Sequence, residues 1–169
     1  MNYLTISKCD QLNYDGLRVV LWVSGCSHNC KGCQNPYSQD PSSGVRFDDN
    51  AKNEIFEELA KDWCAGITFS GGDPLFEANR KEVIDFAKEV KERFPEKSIC
   101  VYTGYRWDEI VDDETMRDIL KYADVIIDGE YVESLRSVDL PWVGSSNQHI
   151  IKVSDRLSKI SSIKASMEA

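Results

Sequence analysis

Basic charge is scarce: 20 lysines and arginines stand against 29 aspartates and glutamates, a formal net charge of −9. A surface of that sign is badly suited to displacing counterions from phosphates, so nucleic acid is not an expected partner. Long apolar runs are missing as well. The longest, Val19 to Val23, is far too short to cross a bilayer, and no charged start leads into a greasy stretch with a small-residue cleavage site. These absences point to a soluble, cytoplasmic protein with no membrane partner. Internal repeats and low-complexity linkers are lacking too. At 169 residues and 41% hydrophobic content the chain can build one well-buried core but hardly two. A single domain over 1–169 is expected, with the polar, weakly periodic stretch 154–169 as a peripheral tail or helix.

Six cysteines are present. Without an export signal, and with enough apolar residues to fold unaided, they are expected to be reduced rather than paired. Cys26, Cys30 and Cys33 crowd into one short segment, whereas Cys9, Cys64 and Cys100 lie scattered and read as small core hydrophobes. The mixed-sign runs Lys52 to Glu58 and Lys88 to Arg93 have the spacing of solvated helix faces.

Five short segments rich in β-branched residues read as strands: Val19–Val23, Gly66–Ser70, Ser98–Tyr102, Asp124–Asp128 and His149–Val153. Tyr3–Ile6 adds a candidate edge strand. Helical stripes lie between them. Ile55, Leu59 and Trp63 form one, and Val83, Phe86, Ala87, Val90 and Phe94 a second. Asn79 with Glu82 resembles a capping box for the second helix, and Pro95 stops it. A shorter helix over Glu114–Tyr122 would bury Met116, Ile119 and Leu120, and Trp63 and Phe69 read as core.

Strand alternating with helix implies right-handed βα units and a mainly parallel sheet. The α/β fold expected is an incomplete TIM-type barrel, with an open doubly wound sheet as the other possibility. In both, ligands sit beyond the carboxyl ends of the strands. Those ends carry SGCSHNCKGC, SGGDP, TGY and DGEY in turn.

Cys-x3-Cys-x2-Cys brings three soft thiolates within reach of one metal centre. Three is one too few for a closed zinc site, and no second Cys-x2-Cys or His pair is present, although His28 or a distant cysteine could complete one. A [4Fe-4S] cube on three cysteines instead leaves one iron open as a Lewis-acid position. Ser70 to Pro74 can be read as a simple Gly-Gly turn before a helix, or as a place where main chain must approach a ligand.

Cys26-x3-Cys30-x2-Cys33 resembles the cluster motif of radical S-adenosylmethionine enzymes, and Ser70-Gly71-Gly72-Asp73-Pro74 resembles that superfamily's glycine-rich motif. The stretches DGLRVVLWVSGCSHNCKGCQNP, ITFSGGDPLFEANR, VYTGY and DVIIDGEYVESLRSVDLPWVGSSNQHII extend the resemblance through Val153. They resemble the branch that activates anaerobic ribonucleoside-triphosphate reductase. The resemblance implies a [4Fe-4S] cluster on Cys26, Cys30 and Cys33, with S-adenosylmethionine chelating the open iron. One electron then splits the sulfonium, and the 5′-deoxyadenosyl radical takes hydrogen from a glycine of the reductase. It further implies that Gly32, Cys33 and Gln34 border the nucleotide, with Gly71, Gly72 and Asp73 opposite and the Asp73 carboxylate available to an ammonium. A low-potential donor such as flavodoxin is the implied electron source.

The chain departs from the superfamily pattern at Gly32, where many members place an aromatic against adenine. Tyr37, Tyr105 and Trp22 are candidate replacements. Tyr102–Tyr105 and Asp128–Tyr131 could line the ribose or the incoming glycine loop, or be plain strand-exit turns. Gly144–Gln148 could touch partner or cofactor, or be a polar connection. Activation of another glycyl-radical enzyme such as pyruvate formate-lyase, action on a small molecule, and a zinc-bound interaction module are the competing functions.

Overall fold

The computed structural model describes residues 1–159. Its strands are β1 (Asn2–Asp10), β2 (Arg18–Val23), β3 (Val45–Arg46), β4 (Gly66–Gly71), β5 (Ser98–Tyr102), β6 (Val125–Asp128) and β7 (His149–Lys152). Its helices are α1 (Asp49–Leu59), α2 (Arg80–Arg93), α3 (Trp107–Asp112) and α4 (Glu114–Arg117). The strands form one open seven-stranded sheet in the order β3-β1-β2-β4-β5-β6-β7. The central four run parallel, and both flanks pair antiparallel.

The sequence pattern explains the centre. Strands covered on both faces read as continuous apolar runs, and β2, β4 and β6 are buried almost throughout. Alternate residues then face opposite layers. Val19, Leu21, Ile67, Phe69, Ile99, Val101 and Ile126 join the helices in the main core. Phe86 of α2 lies at its middle, with ring centroids 5.1 Å from Phe47, 5.4 Å from Phe56 and 6.2 Å from Phe69. Each such fully buried side chain contributes roughly 1.5–3 kcal/mol. Because all the helices contribute to this one cluster, they share one face of the sheet, which rules out the doubly wound alternative.

The opposite face is covered by two loops, not helices. Residues 11–17 and 137–148 reach over it and meet where Tyr14 packs on Trp142 at 5.0 Å. Beneath them Cys100, Val125 and Ile127 form a second small core. Arg18 is fully buried at the amino end of β2 without a carboxylate. Its guanidinium donates instead to the carbonyls of Asp15, Ile67 and Ser98 and to the hydroxyls of Thr68 and Ser98.

Several expectations need correction. Tyr3–Ile6 lies within a longer strand that is not the edge, because the two-residue β3 flanks it. The sheet is only mainly parallel, since β7 pairs antiparallel with β6, with a 3-10 turn over Glu133–Leu135 and no α-helix between them. Trp63 lies beyond the end of α1 and is 43% exposed. Cys9 is exposed, while Cys64 and Cys100 are core as expected. The helix over Glu114–Tyr122 is one α turn followed by a 3-10 turn over Asp118–Lys121; Met116 and Ile119 are buried, and Leu120 only partly. Asn79 and Glu82 do not form a capping box: Asn79 makes no side-chain cap bond, and Glu82 pairs with the Met1 amino group and Arg46. Residues 153–159 are helical, and the rest of the expected tail lies outside the described residues.

Candidate functional site

A cleft of about 480 Å³ opens where β2, β4, β5 and β6 end, and all four strand-exit motifs contribute to its wall. Cys26, Cys30 and Cys33 line one side, each partly buried and unpaired. Gly71, Gly72 and Asp73 line it as well. The turn they form is stitched to the stem of the cysteine loop: the Gly72 amide donates to Val23 O at 2.8 Å, and the Asp73 amide to Gly25 O at 2.8 Å.

Asn79 completes that joint from below. Its side-chain amide donates to Ser24 O at 2.9 Å, Gly25 O at 3.3 Å and Asp73 O at 2.9 Å, tying the start of α2 to both loops. Nothing in the sequence marked this role, because an Asn ahead of a helix is more simply read as a cap.

The sulfurs have the character of metal-cluster ligands. Burial pushes the Cys26 thiol up to about 11 and raises that of Cys30, so neither ionises readily without a cation beside it. Main-chain amides act in the other direction: those of His28 and Asn29 favour the Cys26 thiolate, and that of Tyr131 favours Cys30. The Asn35 amide donates to Cys33 Sγ at 3.4 Å. Three partly buried sulfurs with amides already turned toward them fit an iron–sulfur cluster, whose potential such hydrogen bonds tune.

His28 does not supply a fourth ligand. Its Nε2 lies 2.8 Å from Asp73 Oδ2 and its Nδ1 2.8 Å from Glu130 Oε1. The bond to Asp73 is the main cause that lifts its pKa to about 9, so at neutral pH both nitrogens carry protons and donate.

Asp73 is 1% exposed, and its carboxylate is engaged within the chain. Oδ1 accepts from the Leu75 amide at 2.7 Å and the Thr103 hydroxyl at 2.9 Å, while Oδ2 accepts from the Gly104 amide at 2.9 Å and from His28. Cys33 and Gln34 line the cleft. Gly32 is not among its lining residues; it turns in the left-handed region at φ +73, with the Glu133 carboxylate against it.

Of the three candidate aromatics, only Trp22 lines the cleft. Tyr37 is 82% exposed, and Tyr105 packs edge-on against His28 at 4.7 Å. Tyr131, Tyr102 and Trp142 are further aromatic parts of the wall. The segment Gly144–Gln148 acts as a bracket for the β6 exit. Gln148 donates to Gly129 O and accepts from the Gly144 and Ser145 amides, Asn147 donates to Glu130 O, and Ser145 Oγ accepts from the Val132 amide.

A family model described as a 4Fe-4S single cluster domain matches residues 12–151. Curated relatives agree over nearly the whole chain. The anaerobic ribonucleoside-triphosphate reductase-activating protein of Enterobacteria phage T4 is 43% identical over 150 residues, which cover 89% of this chain and 93% of that one. This chain belongs to that activating-protein family. The Haemophilus influenzae member is 43% identical over 152 residues, covering 89% and 97% of the two chains, and the Escherichia coli K12 member 35% over 150 residues, covering 88% and 96%.

Proposed function

We propose that this chain activates anaerobic ribonucleoside-triphosphate reductase, using a [4Fe-4S] cluster on Cys26, Cys30 and Cys33 to cleave S-adenosylmethionine reductively. One observation carries the reading: the three-cysteine loop and the Gly71–Asp73 turn face a single cleft and are hydrogen-bonded to each other at its base. When bound, the cluster supplies one electron to the sulfonium, releasing methionine and the 5′-deoxyadenosyl radical that takes hydrogen from a glycine of the reductase.

The chain's own residues do the rest. Cys26, Cys30 and Cys33 would hold the cluster and leave one of its irons open to the nucleotide. Cys33 and Gln34, which line the cleft, would border the nucleotide on one side and Gly71, Gly72 and Asp73 on the other; Gly32, outside that lining, would act through the left-handed turn it makes in the cysteine loop, and the missing side chains of Gly71 and Gly72 let their turn pack against the main chain of Val23 and Gly25. Asp73 acts by shaping that turn, since its carboxylate already accepts bonds from Leu75, Thr103, Gly104 and His28. Trp22, Tyr102 and Trp142 supply apolar surface to the cleft wall, which would help keep water from a carbon-centred radical.

The open sheet is read as an incomplete TIM-type barrel, because β2, β4, β5 and β6 follow one another in a single direction with the helices on one face. One domain is supported by one sheet and one main core. A cytoplasmic location is supported by six unpaired cysteines and by the lack, among the described residues, of any helix long and apolar enough to cross a membrane. A low-potential carrier such as flavodoxin is the electron donor that the family resemblance suggests.

The deciding experiment mixes anaerobically purified, reduced protein with S-adenosylmethionine and the anaerobic reductase. A glycine-centred doublet in the electron paramagnetic resonance spectrum is expected. Its absence with a competent reductase and donor, or a colourless protein holding one zinc, would overturn the proposal.

A further inference from the structure

His28 sits in one strand-exit motif and touches the other three. It lies inside the cysteine loop that follows β2, meets Asp73 after β4 at 2.8 Å and Glu130 after β6 at 2.8 Å, and rests edge-on against Tyr105 after β5 at 4.7 Å. Its side chain is 11% exposed. Room for the ring is made by the chain opposite: a Cβ at Gly104 would come within 2.4 Å of His28 Cδ2 and 2.5 Å of Nε2. Gly104 is not in the left-handed region, so it is the ring and not the backbone angle that requires glycine there.

We propose that His28 is a positioning residue for the activation reaction: by gripping Asp73 and Glu130 at once, it sets the distance between the cysteine loop and the Gly71–Asp73 turn, and thereby the fit of the nucleotide's methionyl end. The Gly25 and Cys26 amides donate to Ser38 O and Gln39 O at the stem of the cysteine loop, and its Cys26–Cys33 part meets the β6 exit through the Tyr131 amide at Cys30 and the Lys31–Glu133 pair at 3.2 Å. Its side-chain link to the Asp73 carboxylate is made through His28. The Asp73 end is rigid, because Thr103, Gly104 and Leu75 fix the same carboxylate. At the other end Asn147 holds the Glu130 main chain, donating to Glu130 O at 2.8 Å, while the Glu130 carboxylate itself is 55% exposed. Loss of the imidazole therefore frees the loop from the buried Asp73 anchor and from the Glu130 contact, without removing a cysteine.

This inference rests on the proposed S-adenosylmethionine site, and its test keeps the two apart. Iron content and equilibrium binding of S-adenosylmethionine are measured anaerobically for wild type, His28→Ala, His28→Gln, Gly104→Ala and the double variant. His28→Ala is expected to keep its iron and to bind the nucleotide about tenfold more weakly, the lower end for residues that orient metal-site ligands. His28→Gln, which retains a donor, should recover part of the loss. Gly104→Ala should weaken binding by displacing the ring, and should add little in the His28→Ala background, where no ring remains to displace. Wild-type protein that fails to bind would sink the site itself. Wild-type binding with unchanged affinity in His28→Ala, or full additivity of the two substitutions, would overturn the positioning role alone.

Discussion

Gly72 passes the carbonyl of Gly25 so closely that a Cβ at position 72 would lie 2.5 Å from that oxygen and 2.7 Å from the carbonyl oxygen of Ser38. Both neighbours are main chain and cannot swing aside. Gly72→Ala should therefore push the turn away from the cysteine loop at a cost of about 1–3 kcal/mol, the usual range for overpacking. The expected result is a lower thermal midpoint together with weakened nucleotide binding; an alanine variant matching wild type in both would contradict the close packing.

The cysteines divide into two classes by position. Cys26→Ala, Cys30→Ala or Cys33→Ala should abolish the cluster, seen as loss of iron, sulfide and brown colour in anaerobically purified protein. Cys9→Ser, at an exposed strand position, and Cys64→Ala, buried away from the cleft, should leave iron content near normal. Iron loss in either of the latter pair would place a ligand outside the loop.

Asn79 offers a test of stability at a distance from the sulfurs. Asn79→Leu removes the donor shared by Ser24 O, Gly25 O and Asp73 O in a site that is 1% exposed. Gly25 O and Asp73 O keep the Asp73 and Phe76 amides, so Ser24 O is the acceptor left stranded, at a cost of about 1–3 kcal/mol. Denaturant unfolding of the apo protein should show a loss of about 1–3 kcal/mol.

Arg18 stands at the other end of the sheet from the cleft. Lysine cannot reproduce a planar fork that reaches three carbonyls and two hydroxyls. Arg18→Lys is expected to lose at least about 2 kcal/mol of stability while folded variant protein still takes up iron. A stable Lys variant would show that the network is dispensable.

Alkali should weaken the fold. Burial pushes the Cys100 thiol from its ordinary value of 9.0 up to about 12, and raises Tyr102 in the same direction. The unfolded chain then releases these protons before the folded one does, so stability is intact below pH 9.0 and falls as pH rises toward about 12. Urea midpoints measured between pH 8 and pH 11 should decline, and Cys100→Val should flatten part of the decline. A midpoint that holds steady or rises would count against buried, neutral groups on this face.

How much of this could be read in advance depended on whether a residue's partners were local. Val19–Val23 and Asp124–Asp128 declared themselves as strands because double-sided burial demands unbroken apolar runs. The three clustered cysteines and the Gly-Gly turn were legible because their chemistry dictates spacing. Trp63 was misjudged because a four-residue stripe continues on paper after the helix has ended at Leu59. Asn79 was misjudged because its partners, Ser24, Gly25 and Asp73, include loops distant in sequence, and nothing at positions 79–82 distinguishes a cap from a clamp. In sequence His28 offers itself as a possible metal ligand and not as a clamp, because its bonds to Asp73 and Glu130 span 45 and 102 residues and only the sheet order brings those exits together.

The bracket formed by Gly144–Gln148 has a bearing on biosynthesis. Cys26, Cys30 and Cys33 leave the ribosome long before Asn147 and Gln148, which hold the Gly129–Tyr131 exit in place. A nascent chain thus displays its thiols before the Tyr131 amide that favours the Cys30 thiolate can be held beside them. Iron delivered to a half-made chain would meet an unfinished chamber, so cofactor insertion belongs after translation is nearly complete.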